Sequence, residues 1–300
     1  MDSKITELSH NIPIVFSTDH NFIMPTGVAI HSLLITREKT EYDIYIIISD
    51  NVTEDDKNKL TAQVKSISTI STIQFLSIGD QFKECYEIRG VTVATYYRLL
   101  IPWLLPHIDK IIYSDGDIIF KAPLDELYHM DIGDNFILGN RKEKWQKKAE
   151  TRIRSLGLDP AHYTNAGFLV INSKAQRDAN LKEKFLYHST KKYYFQDQDI
   201  LNIVCKGHII HFNSKYNCGP SAFKNLCCYG KLPYNDIVVI HYAGEKPWKA
   251  YCPFWTEWWK NYQASIFFND KFYFSIMLQS LSLKKFFRDI IIKFKNKYLK

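Results

Sequence analysis

The stretch Ile111-Ile-Tyr-Ser-Asp115-Gly116-Asp117-Ile-Ile-Phe120 joins an apolar strand to two acidic residues that are separated by one glycine. Residues two apart in extended backbone point to the same side, so we expect both carboxylates to project together. Gly116 permits a turn and the close approach of a ligand. Two carboxylates on one face repel each other unless a hard divalent cation lies between them. The stretch predicts a metal site, with a hairpin turn as the alternative because Asp-Gly is a common turn pair.

Upstream of this stretch, apolar strands alternate with helices. We predict strands over residues 12–17, 42–49, 71–78 and 110–114, and helices near 25–35, 53–67 and 94–101. This alternation is typical of an α/β fold with a Rossmann-like, mostly parallel central sheet and helices on both faces. Ligands of such sheets bind beyond the carboxyl ends of the strands. Asp19 and Asn21 follow the first strand and Asp115 follows the fourth, so we expect them to meet at that edge.

Downstream of residue 123 the alternation loosens. Residues 140–164 are rich in charge and predict a mobile loop or an exposed helix. Strands are predicted at 167–171, 208–212 and 237–242, and helices near 174–189 and from Asp197. Residues 247–262 are crowded with aromatic side chains, which suit either a core or a platform for a sugar ring.

The composition is that of a chain that buries a core. The 300 residues are 46% hydrophobic and 24% charged, which excludes wholesale disorder and fits one large domain. No apolar run approaches the roughly 20 residues that cross a bilayer, and residues 1–7 lack the apolar segment of a secretory signal. The six irregularly spaced cysteines indicate reduced thiols in a cytosolic protein. A zinc site is the alternative, but the chain contains no Cys-x-x-Cys pair.

The positive charge is concentrated at the end of the chain. Residues 281–300 contain seven basic residues and one acid, against a net charge of +7 for the whole chain. Apolar residues at 283, 287, 290, 291 and 294 follow helical spacing, which predicts a basic amphipathic helix. Such a helix suits an anionic membrane surface, and docking on the protein's own core is the alternative. No nucleic-acid motif accompanies the tail, so we expect no nucleic-acid partner.

Three further motifs carry polar side chains at the ends of predicted elements. A strand ends at His241 and is followed by Gly244, Lys246 and Trp248, a pattern that can place an imidazole on a metal and a lysine on phosphate. A purely structural histidine is the alternative interpretation. The other two motifs are Tyr163-Thr-Asn165-Ala-Gly and Phe195-Gln-Asp197-Gln198-Asp199.

Together these motifs resemble glycosyltransferase family 8, retaining enzymes that include bacterial lipopolysaccharide α-galactosyl- and α-glucosyltransferases. The resemblance covers about residues 12–262 and rests on six motifs in family order: Phe16-Ser-Thr-Asp19-x-Asn21, Tyr96-Tyr-Arg98-Leu, Asp115-x-Asp117, Asn165-Ala-Gly, Asp197-Gln198-Asp199 and His241-Tyr-x-Gly-x-Lys246-Pro-Trp248. It implies a GT-A-type catalytic domain over residues 1–265. A nucleotide-sugar half would span about 1–122 and an acceptor half about 123–265, and residues 266–300 would form a membrane-association segment.

The resemblance also implies roles for individual residues. Asp115, Asp117 and His241 would bind one Mn²⁺, or Mg²⁺, a ligand set that suits such an ion. The other implied donor-binding residues are Asp19 and Asn21 on the uracil and ribose, Gly116, Gly244, Lys246 and Trp248 at the diphosphate, and Arg98, Asn165, Asp197 and Gln198 around the sugar. Gln198, nearest the reacting carbon, and Asp197 would be the catalytic residues.

The implied function is a metal-dependent retaining hexosyltransferase. It would move galactose or glucose from a UDP-sugar to a hydroxyl of a glycan or glycolipid acceptor, such as lipopolysaccharide or lipooligosaccharide core. The tail would hold it peripherally on the inner, cytoplasmic face of the cell membrane. Two alternatives remain at this point: a nucleotidyl- or phosphotransferase that uses the same carboxylates, and a non-catalytic module that binds carbohydrate or membrane.

Overall fold

The structure, a computed structural model, describes residues 11–88, 92–141, 146–219 and 232–280. Its strands are β1 Ile12–Thr18, β2 Tyr42–Ile48, β3 Thr72–Ser77, β4 Lys110–Ser114, β5 Ile118–Phe120, β6 Ile137–Arg141, β7 Thr164–Asn172, β8 Ile209–His211 and β9 Val239–His241. Its α-helices are α1 Ile23–Ile35, α2 Glu54–Lys65, α3 Ile101–Leu104, α4 Asp125–Tyr128, α5 Lys147–Ser155, α6 Ser173–Asp178, α7 Lys182–Ser189, α8 Gln196–Val204, α9 Trp255–Ala264 and α10 Asp270–Ser280.

Seven strands form the central sheet in the order β3-β2-β1-β4-β7-β6-β8. β1 runs parallel to β2 and β4, β2 to β3, and β6 to β8, whereas β7 is antiparallel to both β4 and β6. The predicted mostly parallel sheet is therefore confirmed. Because β7 is reversed and Ser114 pairs with Phe168, the first residues of β7 lie beside the carboxyl end of β4.

Both faces of the sheet are covered by helices, as predicted. Along β1, Ile14 and Phe16 join an apolar cluster that includes residues of α1 and α2, while Val15 joins a cluster on the other face with residues of α7 and α8. Successive side chains of a strand point to opposite faces, so a continuous apolar run is the pattern that a doubly covered strand needs. This explains why β1 and β2 are apolar almost throughout.

A second sheet, of two strands, brings the Asp115-x-Asp117 motif beside the motif that begins at His241. β5 and β9 are antiparallel, with Ile118 opposite His241. The N–H of Tyr242 donates to the carbonyl of Asp117 at 2.9 Å. The predicted strand at 237–242 is thus shorter and lies outside the central sheet, and its pairing sets His241 beside Asp117.

One predicted helix differs in type from the observed one, and a second region agrees with its prediction. The helix predicted at 94–101 is a 3-10 helix, Val93–Leu100, that continues into α3 with Pro102 in the first turn. Proline is tolerated there because the first-turn N–H groups have no intrahelical acceptor. In the charged region 140–164, the described residues include α5, which agrees with the exposed-helix interpretation.

The aromatic region after residue 247 is a core rather than a sugar platform. Its buried rings are Trp248, Phe254, Trp258, Trp259 and Tyr262, which form a cluster with residues of α10. Phe267 lies so close to Gly27 of α1 that a Cβ there would meet the ring at 2.0 Å. Within residues 266–278, which the sequence assigned to the membrane segment, Phe267, Phe272 and Ile276 pack against the body.

The basic tail, residues 281–300, lies outside the described residues, as do 1–10, 89–91, 142–145 and 220–231. Within the described ranges, no helix combines the length and the apolar character needed to span a bilayer.

Candidate active site

Asp115 and Asp117 lie between the end of β4 and the start of β5, where the central sheet gives way to the small one. The backbone leaves the strand at Ser114, and the N–H of Asp115 donates to the carbonyl of Gly167 at 2.8 Å. Asp117 is buried, whereas the side chain of Asp115 is 27% exposed. Both carboxylates reach the same region, as expected. The backbone that carries them is a bend between β4 and β5, however, and not one extended strand.

His241 completes a three-ligand cluster with the two aspartates. Its Nε2 lies 3.4 Å from Oδ1 of Asp117 and 3.8 Å from Oδ2 of Asp115, and one ligand atom from each residue falls within 4.8 Å of the others. Ligands about 2.1 Å from one octahedral ion lie about 3 to 4.2 Å apart, so the distances from His241 to the two carboxylates fit a shared cation. Oδ1 of Asp117 is buried and accepts no hydrogen bond from the described residues, which leaves a lone pair for such an ion.

One glycine makes room for this cluster, and a second lets the bend pack against α1. A Cβ at Gly167 would lie 2.3 Å from Cε1 of His241 and 2.6 Å from Oδ2 of Asp115, so only glycine fits. Gly116, expected to admit a ligand, is buried instead against α1, where a Cβ would meet Oγ1 of Thr26 at 2.4 Å. The Asp-Gly-Asp bend is therefore shaped by packing as well as by any ligand.

Two cations face the carboxylates. Nζ of Lys246 contacts Oδ2 of Asp117 and donates to the carbonyl of Tyr242 at 2.9 Å. Arg98 is only 6% exposed and bridges Asp115 and Asp197, each at 3.0 Å. Arg98 therefore lines the cavity predicted for the sugar, but its guanidinium is already paired with the carboxylates of Asp115 and Asp197.

The electrostatics of the site are set by burial and these pairs. Burial would raise the pKa of Asp117, but Lys246 and then His241 hold that pKa well below its usual range. Burial raises the pKa of Asp197 to about 6, a shift that Arg98 opposes. Asp117 is thus ionised throughout the physiological range, whereas Asp197 titrates near neutrality.

Asp115, Asp117 and His241 line a cavity of about 200 Å³, and polar side chains from β7 and α8 line it as well. Oε1 of Gln198 accepts from Nδ2 of Asn165 at 3.0 Å and from the N–H of Ala166 at 3.2 Å. Nε2 of Gln198 donates to the hydroxyl of Tyr163 at 3.2 Å. The sequence motifs at Asn165 and Asp197-Gln198 are therefore brought to the same cavity as Asp115, Asp117 and His241.

The 3-10 helix Val93–Leu100 borders this cavity and also a second one, of about 270 Å³, which lies toward the ends of β1 and β2. Asp19 lines it and is fixed by two bonds, from the N–H of Phe22 at 3.1 Å and from Oγ1 of Thr92 at 3.1 Å. Other lining residues include Asn51, Phe82 and Tyr97. Asn21, which sequence placed beside Asp19, is exposed and is not among the lining residues.

The remaining motif residues shape the loop that carries Lys246. Gly244 has φ +107°, a backbone conformation that other residues avoid. Trp248, expected near the diphosphate, is 6% exposed and packs between Phe22 and Trp258. It anchors the loop in the aromatic core.

Sequence reasoning missed two polar residues that the fold brings to the site. Asn217 hydrogen-bonds His241, with 2.9 Å between Oδ1 and Nδ1. Arg152 of α5 pairs with Asp199 at 2.8 Å, directly after Gln198 in the chain. Neither lies in a recognisable motif, and the only available signal was that each is a polar residue near the end of an element.

Comparison with known proteins agrees with this geometry. The model of glycosyl transferase family 8 matches residues 13–252. A putative glycosyltransferase from Haemophilus influenzae is 30% identical over 257 residues, 81% of this chain and 75% of that protein. The lipopolysaccharide glucosyltransferase WaaO of Escherichia coli K12 is 28% identical over 264 residues, 82% of this chain and 75% of that protein.

A solved structure supports the fold. The galactosyltransferase LgtC, in complex with donor and acceptor sugar analogs, superposes with a TM-score of 0.72 at 23% identity, covering 87% of this chain and 98% of that one. The alternatives left open by the sequence, a nucleotidyltransferase and a non-catalytic binding module, find no support in these matches. The chain belongs to glycosyl transferase family 8 and is a glycosyltransferase.

Proposed function

We propose that this glycosyltransferase is a metal-dependent, retaining hexosyltransferase that moves galactose or glucose from a UDP-sugar to a hydroxyl of a lipopolysaccharide or lipooligosaccharide core. The observation that carries the proposal is the convergence of Asp115, Asp117 and His241 on one point, beside Lys246. The relatives named above comprise a lipopolysaccharide glucosyltransferase and a galactosyltransferase, so either sugar is compatible with them.

The two cavities suit the two ends of a nucleotide-sugar. The nucleoside would occupy the cavity at Asp19, where aromatic and polar side chains surround a space of base size. The sugar would lie in the cavity of Asn165 and Gln198. The 3-10 helix Val93–Leu100 borders both cavities, so a donor lying along it places its diphosphate near Asp115 and Asp117.

The cluster of two carboxylates and one imidazole suits Mn²⁺, and also Mg²⁺. A bound divalent cation would supply Lewis-acid stabilisation of the negative charge on the departing UDP. Lys246 adds a second positive charge on the same side. Its Nζ contacts Asp117, and a short movement from that carboxylate would bring it to a phosphate oxygen.

The sugar becomes cationic as its bond to phosphate breaks. Oε1 of Gln198, fixed by Asn165 and by the N–H of Ala166, is a preorganised partial negative charge that can face it. An amide is a poor nucleophile, and Asp197 is engaged by Arg98 and Thr95. These contacts support direct attack by the acceptor hydroxyl from the face that the leaving group vacates, which retains configuration.

The test is UDP release from UDP-galactose and UDP-glucose with Mn²⁺, with and without a chelator, followed by product analysis. We expect release of UDP that depends on an acceptor glycan, stops with chelator and returns with excess Mn²⁺. Turnover that is unaffected by thorough chelation would refute the metal dependence. Release of pyrophosphate in place of UDP would indicate nucleotidyl transfer.

Membrane association forms the second part of the proposal. On α10, Phe274 and Leu278 are 60% and 71% exposed and lie one turn apart, immediately before the basic residues 281–300. Apolar side chains next to a cluster of cations suit the inner face of a cell membrane, where each cation near anionic lipid contributes about 1 kcal/mol. Deletion of residues 281–300 should abolish sedimentation with phosphatidylserine vesicles and leave soluble turnover intact. Unchanged vesicle binding would remove this part.

A further inference from the structure

We infer that Asn217 is a positioning residue of the site: it fixes the tautomer of the neutral His241 ring and, through Asn165, helps to hold the Gln198 amide in place. The inference rests on the metal-dependent function proposed above. It concerns a residue outside every sequence motif, which the fold buries between the metal cluster and the wall of the sugar cavity.

The donors and acceptors of this network are fixed by two backbone N–H groups. The N–H of Gly167 donates to Oδ1 of Asn165 at 3.0 Å, so that atom must be an oxygen. Asn217 therefore presents its NH₂ to Asn165, with 3.1 Å between Nδ2 and Oδ1. Its remaining atom, Oδ1, can only accept, so Nδ1 of His241 must carry the proton.

In the neutral imidazole, this assignment leaves Nε2 of His241 as the unprotonated nitrogen. The lone pair of Nε2 then faces Asp117 and Asp115, at 3.4 and 3.8 Å. A histidine binds a metal through an unprotonated nitrogen, and the partner of its other nitrogen sets which one that is. Asn217 thus holds the imidazole in the form that can bind a cation.

The same network reaches the sugar end of the cavity. Nδ2 of Asn165 donates to Oε1 of Gln198, which the N–H of Ala166 independently identifies as an oxygen. Nε2 of Gln198 then donates to Tyr163, whose hydroxyl donates to the buried Asp199 at 2.5 Å. A single chain of oriented amides therefore runs from the metal cluster to the residue expected nearest the reacting carbon.

The backbone around Asn217 is held independently of its side chain. Its N–H donates to the carbonyl of Ser214 at 3.2 Å, and its carbonyl accepts from Nδ2 of Asn140 at 3.0 Å. The next residue, Cys218, exchanges backbone hydrogen bonds with β9 at Val239 and His241, at 2.9 and 3.1 Å. Truncating the side chain therefore removes the network's central link and leaves these anchors.

The experiment compares Asn217→Ala, Asn217→Asp and a control, Asn213→Ala. Asn213 caps the 3-10 helix Ser214–Tyr216 by accepting from the N–H of Lys215 at 2.9 Å, so the control disturbs the same segment without removing a bond to His241. Mn²⁺ affinity is measured from the electron paramagnetic resonance signal of the free ion, and kcat and KM from UDP release.

We expect Asn217→Ala to weaken Mn²⁺ binding by about 10- to 100-fold, as loss of a histidine's outer partner does, while Asn213→Ala binds Mn²⁺ as the wild type does. Asn217→Asp still accepts from Nδ1 but turns an oxygen toward Oδ1 of Asn165. It should keep Mn²⁺ affinity, lose kcat by about tenfold, a modest share of what one preorganised dipole contributes, and leave the donor KM little changed.

Wild-type Mn²⁺ affinity in Asn217→Ala would overturn the inference. If that variant does not fold, the near-isosteric Asn217→Asp decides alone, and a wild-type kcat would overturn it. Asp117→Ala, measured in parallel, separates this failure from that of the proposed function: its wild-type Mn²⁺ affinity would refute the metal site itself.

Discussion

The cavity around Asp115 and the cavity around Asp19 both lie at the carboxyl ends of strands of the central sheet, and both border the 3-10 helix Val93–Leu100. Their charged residues are nevertheless arranged differently. Around Asp115, buried ionic side chains such as Arg98 and Asp197 bind one another from separate segments of the chain. Around Asp19, the charged residues are on the surface, where Lys83 and Asp50 are 53% and 72% exposed. Buried pairs are costly to break and surface pairs contribute little. We therefore expect the first cavity to be rigid and intolerant of change, and the second to be adaptable.

The largest effect should come from the more buried of the two carboxylates in the first cavity. Asp117→Ala should lower kcat by about 10³-fold, because it removes a proposed metal ligand and leaves Lys246 and His241 without their common partner. Mn²⁺ affinity should fall in parallel, and both are measured on the purified variant. Asp50→Ala, in the second cavity, is the control and should change kcat less than threefold, as surface pairs do. Equal losses in the two variants would refute the contrast.

The next effect concerns the cation of the first cavity. Lys246→Met should lower kcat by about 10²-fold, since it removes a positive charge from the departing diphosphate. It should not weaken Mn²⁺ binding to the free enzyme, because Nζ now contacts Asp117 and competes for that carboxylate. Isothermal titration with Mn²⁺ and UDP measures both affinities. Lys249→Met, on an exposed residue of the same loop, is the matched control. Weaker Mn²⁺ binding in Lys246→Met would contradict the competition.

Features that depend on a short stretch of sequence could be predicted, whereas features that depend on contacts between distant segments could not. The pairing of Asp115 with Asp117 could be foreseen because the two acids stand two residues apart after an apolar strand, a pattern legible in a few residues. The addition of His241 came from the resemblance to the family, since a histidine at the end of a strand can also be purely structural. The mostly parallel sheet followed from the alternation of strands and helices. Asn217 could not be foreseen, because its importance depends on which side chains the fold sets beside it.

Two motif residues make contacts that the sequence does not show. The motif containing Arg98 was recognised, but only the structure shows that burial turns the guanidinium into a clamp for Asp115 and Asp197. Trp248 was expected at the ligand, yet its ring is satisfied by aromatic neighbours. A motif identifies which residues matter and leaves open what each one touches.

A smaller effect is expected from pH. Burial raises the pKa of Asp197 to about 6, so this acid binds its proton more tightly in the folded than in the unfolded chain. Its contribution to the free energy of unfolding therefore falls as pH rises from about 4 to about 6. Activity should change in the opposite direction, because protonation weakens the pair with Arg98.

The measurement is the pH profile of kcat/KM. We expect it to fall about tenfold per pH unit below about 6, as titration of a single essential group does. Asp197→Asn should lower the plateau and flatten this limb, since the amide does not titrate. A limb of unchanged position and slope in Asp197→Asn would assign the titration to another group.

The smallest effect distinguishes the cavities through two threonines, one at the N-cap of the 3-10 helix Val93–Leu100 and one within that helix. Thr92 donates to Asp19 at 3.1 Å in the second cavity, and Thr95 donates to Asp197 at 2.6 Å in the first. Loss of one hydrogen bond costs about 0.5–1.5 kcal/mol, or roughly two- to twelvefold in an equilibrium constant. Thr92→Val should therefore raise KM for the UDP-sugar within that range at unchanged kcat, because the proposed nucleoside would be held equally before and during reaction. Thr95→Val should lower kcat instead, since Asp197 lines the cavity proposed for the reacting sugar. Steady-state kinetics of both variants decide the matter, and a shared change in KM alone would mean that the two cavities act as one binding surface.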